Sequence, residues 1–218
     1  MTHIALASVE QIQVDTSREH TSNFARLPGE IRNTIYEFVI RGLPRSLPLT
    51  VLPAISFVNT LVQREFLSKF LPYVHCYITS MLDIWNIGAV LNMILEKPEI
   101  YNISRLTVNN YTSIAFTQSR ANEIMDFLCR FSRLHTLVLG IALGDLYHGF
   151  RGRIKELNHV LSEYELFRIR YLKELGKLVI KVKRDGGVLA PDSMTLLLDL
   201  KDWFAGATEG EVLLTFSE

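Results

Sequence analysis

Apolar and polar positions along the chain follow two rhythms, helical spacing up to about residue 72 and short strand-like runs alternating with helical stretches beyond it. Residues 1–22 are polar with few apolar side chains and predict a loose arm. Leu27-Pro28-Gly29-Glu30 opens the first predicted helix. Proline suits a first helical turn because its missing N–H is not needed there, and Glu30 places negative charge at the positive end of the helix dipole. Ile31, Ile35, Phe38 and Val39 then recur at helical spacing and predict the core stripe, with Gly42 as the stop. Leu27 and Pro28 at the helix mouth and Tyr36 on its flank leave apolar surface beyond that stripe. Such surface either docks in a partner's groove or is covered by the second helix and the body. Pro44 and Pro48 hold the next stretch extended. Pro53 starts a second helix with Ile55, Val58, Val62, Phe66 and Phe70 as its stripe, and Pro72 ends it.

Residues 73–79 are rich in strand formers. Ser80 with Asp83 three residues on makes a capping-box pattern, opening a helix that extends to about Glu96. Further strands are predicted over 103–108, 134–141, 175–182 and 212–216. Helices lie between them: one capped by Thr117 or Ser119, one carrying Ile154, Leu157, Val160 and Leu161, and one opened by Pro191-Asp192-Ser193. Asp185-Gly186-Gly187 reads as a turn. Strict alternation of strand and helix predicts an α/β body with a mainly parallel sheet. Leu106, Leu137 and Leu178 recur at matching strand positions, each in an x-L-x-x-L-x-L-like run. The pattern is similar to a degenerate leucine-rich α/β solenoid, so the expected sheet is curved with helices on one side. The alternative is an ordinary open sheet with helices on one or both faces.

Apolar residues make up 48% of the 218 and charged residues 21%, enough to fill a core and to exclude extended disorder. Lys+Arg and Asp+Glu balance at 23 each, so no global charge pulls the chain toward nucleic acid or an anionic membrane. The balance is a sum of opposed regions: basic residues gather between 147 and 184, and acidic ones from 185 to 218. The mean hydropathy of +0.17 adds a hint of apolar surface kept for a partner. Cys76 and Cys129 each sit in an apolar segment and read as buried free thiols in a reducing compartment. The apolar stretch at residues 4–9 is too short for a signal peptide. No run reaches the ~18 apolar residues of a membrane span. The expected location is inside the cell, in cytoplasm or nucleus, with no membrane partner.

The sequence holds no phosphate-binding glycine loop, no nucleophile elbow and no paired Cys or His at metal-ligand spacing. His75 and Cys76 are adjacent on a predicted strand and point to opposite faces, and Cys129 and His135 are separated by a helix end, so neither makes a nucleophile–base pair. No catalytic, cofactor or metal site is expected, and the chain reads as a binding protein rather than an enzyme. Tyr147-His148-Gly149-Phe150-Arg151-Gly152-Arg153 mixes aromatic and basic residues in a glycine-rich loop, a pattern able to stack on nucleic acid. One such stretch without a second basic patch does not carry that partner.

The run Leu27-Pro28-x-Glu30-Ile31-Arg32-Asn33-x-Ile35-Tyr36-Glu37-x-Val39 resembles the opening motif of the F-box-like proteins abundant in filamentous fungi. Val58, Val62, Glu65, Leu67 and Phe70 fit the family's second helix, with Asn59 where the family has cysteine and Phe66 where it has alanine. The runs at 103–108, 134–139 and 172–182 are similar to its later leucine-bearing strands. The resemblance implies a helical head over 23–72 packed on an irregular leucine-rich-like α/β body over 73–218. It also implies a role as substrate adaptor of a cullin-type ubiquitin ligase, in which Leu27, Pro28, Ile31, Ile35 and Tyr36 contact a Skp-type adaptor and the body holds a protein substrate. The alternative is a degenerate F-box-like binding protein or effector with no ubiquitin-ligase role.

Overall fold

Alternation at period two is the strongest signal in the strand sequences, and the sheet is built from it. A computed structural model of the chain describes residues 23–48, 53–85, 103–148, 152–184 and 190–217. Six strands form one parallel sheet in chain order: β1 (Ser46–Pro48), β2 (His75–Ile78), β3 (Arg105–Val108), β4 (Thr136–Ala142), β7 (Lys177–Lys183) and β8 (Glu211–Ser217). A small antiparallel hairpin, β5 (Tyr147–His148) with β6 (Arg153–Ile154), lies outside it.

Register pairs equivalent side chains across the whole sheet. Leu47, Cys76, Leu106, Leu137, Leu178 and Val212 form one row, and Ile78, Val108, Leu139 and Ile180 form the next inward row. Nearly all of these are buried. They share one apolar cluster with Tyr111 and Ile114 of α3 (Tyr111–Ile114), Ile124 and Leu128 of α4 (Gln118–Leu128), Val160 of α5 (Leu157–Glu163), and Leu197 and Phe204 of α6 (Pro191–Ala207). The opposite face carries His75, Arg105, Thr136, Lys177 and Glu211 in one row and Tyr77, Thr107, Val138, Val179 and Leu213 in another. Apart from Thr107 these stay half-buried or exposed. Right-handed crossovers between strands laid in chain order bring successive helices to the same side, which leaves one face uncovered. The expected α/β class and mainly parallel sheet are present.

Helix α1 (Gly29–Gly42) and helix α2 (Thr60–Phe70) precede most of the sheet. Pro44 and Pro48 were expected only to hold a connection extended; the segment between them forms β1, paired with β2 from Ser46↔His75 to Pro48↔Tyr77. Proline fits here because β1 is an edge strand. Tyr36, Val62 and Phe66 lie in the same buried cluster as the sheet residues, so the expected head and body share one core.

The second helix begins later than expected. Residues Ala54–Phe57 form a 3-10 turn, and Asn59 caps α2 by accepting a hydrogen bond from the Val62 N–H at 2.8 Å. Val58 precedes that cap and is exposed, so the buried stripe is Val62, Phe66, Leu67 and Phe70. The Ser80–Asp83 capping box closes reciprocally, Asp83 N–H to Ser80 Oγ at 3.2 Å and Ser80 N–H to Asp83 Oδ2 at 2.9 Å. Residues 81–85 are helical, and the rest of the helix expected to Glu96 lies outside the described residues. So do the arm at 1–22, the turn at 185–187, and Gly149, Phe150 and Arg151 of the aromatic–basic loop. Thr117, not Ser119, caps α4. Cys76 is buried in the inward row, and burial pushes its thiol up to about 12. Cys129 corrects the expectation of two buried thiols: it follows the last residue of α4 and is exposed.

Gly140 marks a close approach. A Cβ there would lie 2.6 Å from the Asn110 backbone nitrogen, because the chain leaving β3 turns at Asn110 (φ 53°) and passes over β4. Gly206, near the end of α6, has open space at the same position. Gly140→Ala is expected to destabilise by about 1–3 kcal/mol through the forced backbone shift, whereas Gly206→Ala is neutral or stabilising by up to ~1 kcal/mol. Urea denaturation of the two variants checks the contrast.

Candidate functional site

The rotation of α1 about its own axis is set by three polar side chains. Arg32 reaches α2 with a forked bond to Glu65, Nε to Oε2 at 2.8 Å and Nη2 to Oε1 at 2.5 Å. The Tyr36 hydroxyl donates to the same carboxylate at 2.9 Å. Arg32 Nη1 also donates to the Leu27 carbonyl at 2.5 Å, which ties the Leu27-Pro28 entry to the helix. Beneath these bonds Phe24, Tyr36, Phe66 and Phe70 form an aromatic row, with ring centroids 5.7, 5.9 and 5.3 Å apart, tilted, edge-to-face and stacked in turn.

This joint reverses the expected helix face. Arg32 and Tyr36, with Val39 and Ile40, turn toward α2 and the core. Tyr36 is 0% exposed, while Ile31 is 49% and Phe38 79% exposed. The predicted core stripe of Ile31, Ile35, Phe38 and Val39 is therefore corrected: at 100° per residue Ile31, Ile35 and Phe38 share one stripe, and it is the outward one, with Ile35 half-buried along its inner margin. The physical cause is the forked Arg32–Glu65 pair, which a hydrophobic pattern does not register.

Of the five residues assigned to a partner by resemblance, Pro28 and Ile31 are exposed and Leu27 and Ile35 half-buried, all at the mouth or on the outward side of α1. Tyr36 is set apart from them, with its ring in the core and its hydroxyl on Glu65. Sequence reasoning did not single out Arg32 and Glu65 as a pair. Both are among several charges on their helices, with Glu30, Glu37 and Arg41 also on α1 and Arg64 and Lys69 also on α2, so spacing alone carried no signal that paired them.

Charge in the basic stretch is partly neutralised inside the molecule. The buried Lys155 Nζ donates to the Asp145 carbonyl at 2.7 Å, Glu163 at 3.0 Å and the Tyr164 hydroxyl at 3.2 Å. Arg168 pairs with Asp126, and Lys177 of β7 pairs with Glu211 of β8 at 2.8 Å, joining basic stretch to acidic tail. His75 and Cys76 point to opposite faces, and the His75 ring bonds to Thr107 at 2.7 Å. His135 lies against Gly176, where a Cβ would meet its ring. Among the described residues no group of three or more His, Cys, Asp or Glu side chains is placed to hold a metal, and no helix is long and apolar enough to cross a membrane.

Two of the recesses among the described residues bear on the charge pattern. One of about 600 Å³ between the β5–β6 hairpin and α6 has mixed charge, with Arg153, Asp192 and Asp199 in its wall. The other, of about 390 Å³, lies where the end of α1 meets the starts of the strands. No protein-family model, no characterised protein and no solved structure matches the chain.

The Arg32 bonds hold the Glu65 carboxyl below its ordinary value of 4.5, against burial, which alone raises it. Burial, ahead of the bond to Glu65, pushes the Tyr36 hydroxyl up to about 12. A carboxyl with a depressed folded pKa contributes stability that is complete above its unfolded value and lost as the pH falls through the folded one. Wild-type stability is therefore expected to drop on acidification below about pH 4.5, and Glu65→Gln to remove that component while lowering stability at neutral pH. Tyr36→Phe is expected to cost about 1–2 kcal/mol with the acid limb largely kept. Thermal melts of the three proteins across an acid pH series check both statements.

Proposed function

We propose that the chain is a non-enzymatic protein–protein interaction module, an F-box-like head on a leucine-rich-like body, acting as substrate adaptor of a cullin-type ubiquitin ligase in cytoplasm or nucleus. The observation that carries the reading is the outward stripe of Ile31, Ile35 and Phe38 on a helix whose other side is locked to α2. Exposed apolar side chains held on a rigid helix suit a helix-in-groove contact, and this stripe continues from the exposed Pro28. The open sheet face, with half-buried Val138, Val179 and Leu213 flanked by lysines, suits the substrate side of such an adaptor.

A second reading, a binding protein with no ubiquitin-ligase role, draws on Tyr36. One of the residues assigned to the adaptor is fully buried and serves the α1–α2 joint. The two readings part in a pull-down. The adaptor reading expects purified wild type to retain a Skp-type adaptor, and Ile31→Asp or Leu27→Ala to weaken retention by more than about tenfold, a loss of ~1.4 kcal/mol or more. The half-exposed Ile31 lets that variant keep its fold, which a melting curve verifies. Absence of binding by the folded wild type overturns the adaptor role and leaves the second reading.

A further inference from the structure

We propose that the cleft between the end of α1 and the starts of β1, β2 and β3 binds an extended acidic peptide segment carrying two carboxylates with an apolar side chain between them. Three arginines, Arg41, Arg45 and Arg105, line this cleft of about 390 Å³. No hydrogen bond or ion pair to a described residue engages any of their guanidiniums. Arg32 and Arg168, by contrast, each hold a carboxylate, that of Glu65 and that of Asp126. A neighbouring recess shares Arg41 and Tyr73 with the cleft and adds Lys69, against the single acid Glu37. Like charges gathered over a low-dielectric wall repel one another, and an anion placed among them relieves that repulsion.

The spacing is set by the backbone. Arg45 directly precedes β1 and its carbonyl accepts the His75 N–H at 2.9 Å, while Arg105 opens β3 opposite His75. The two arginines stand on the strands flanking β2, about 10 Å apart by sheet spacing. That separation equals about three residues of a chain extended as polyproline II, whose three-residue turn brings the first and fourth side chains to the same face. Between them the floor is apolar, with Val74 and Phe70 buried and Leu43 half-buried. Arginine's fork matches a carboxylate in two-point geometry, and the floor takes one apolar side chain. A nucleic-acid backbone has no use for that floor, and a chain of zero net charge gives no long-range pull on a polyanion. An acidic peptide is therefore the occupant that the walls and floor fit together.

The inference stands apart from the adaptor reading, since the outward stripe of α1 and this cleft use different residues, and either can fail alone. The test is fluorescence anisotropy on the full chain with a labelled peptide built on Glu-Leu-Ser-Glu, its Gln-Leu-Ser-Gln counterpart, and a single-stranded RNA of equal length. Expected are salt-sensitive binding of the acidic peptide, at least about tenfold weaker binding of the glutamine peptide, and a similar loss in the Arg45→Glu/Arg105→Glu variant. Arg133→Glu, an exposed arginine outside the cleft, serves as the charge control, and melting curves verify that both variants fold. Equal binding of the two peptides, tighter binding of the RNA, or an equal loss in Arg133→Glu overturns the proposal.

Discussion

Everything in this molecule depends on a six-stranded parallel sheet burying only one of its faces. As a rule, parallel strands laid in chain order and joined by same-handed crossovers send their connecting helices to the same side. The inward rows from Leu47 to Val212 and from Ile78 to Ile180 meet those helices as leucine, isoleucine and valine interrupted by Cys76. Fixing one face as core fixes the other as surface, because neighbouring residues on a strand point opposite ways. The outward rows then hold charged and small side chains beside a few apolar ones, the composition of a contact surface rather than of a second core.

The front of the chain is organised by a different force. In α1 and α2 the decision falls to one carboxylate: Glu65 receives both Arg32 and Tyr36 and so determines which side of α1 meets the core. The choice is between burying isoleucine and phenylalanine, or burying a tyrosine with its hydroxyl satisfied and an arginine with its fork filled. A charge-assisted forked bond is worth roughly twice a neutral hydrogen bond, and the aromatic row from Phe24 to Phe70 completes the interior that Tyr36 enters. The apolar residues displaced by that choice become the exposed stripe.

Much of the fold was legible in the sequence for local reasons. Period-two runs at Leu106, Leu137 and Leu178 pointed to inward strand positions that the register then aligned. The Ser80–Asp83 box and Thr117 gave helix starts through bonds spanning a few residues. What was not legible depended on partners far along the chain. Residues 32 and 65 meet only after folding, so the face of α1 was read the wrong way round. Residues 44–48 look like a proline-held linker until β2 supplies the pairing. Cys129 sits among apolar neighbours in sequence but just beyond the last turn of α4, where the periodicity of burial ends. The arginine cleft was invisible for the same reason, being assembled from α1, the entry to β1 and the first residue of β3.

The two margins of the sheet are unequal, and this gives the molecule a polarity of growth. β8 is seven residues long and, among the described residues, nothing pairs with its outer side. β1 at the other margin is three residues long and contains Pro48, which has no N–H to offer. A parallel sheet open at both margins is a template for head-to-tail stacking of copies into a filament, each margin accepting the next molecule's opposite margin. Here one half of that joint is denied its ladder. A short, proline-bearing front strand offers few ladder groups to the long far strand of another copy, so the two margins are poorly matched as a joint.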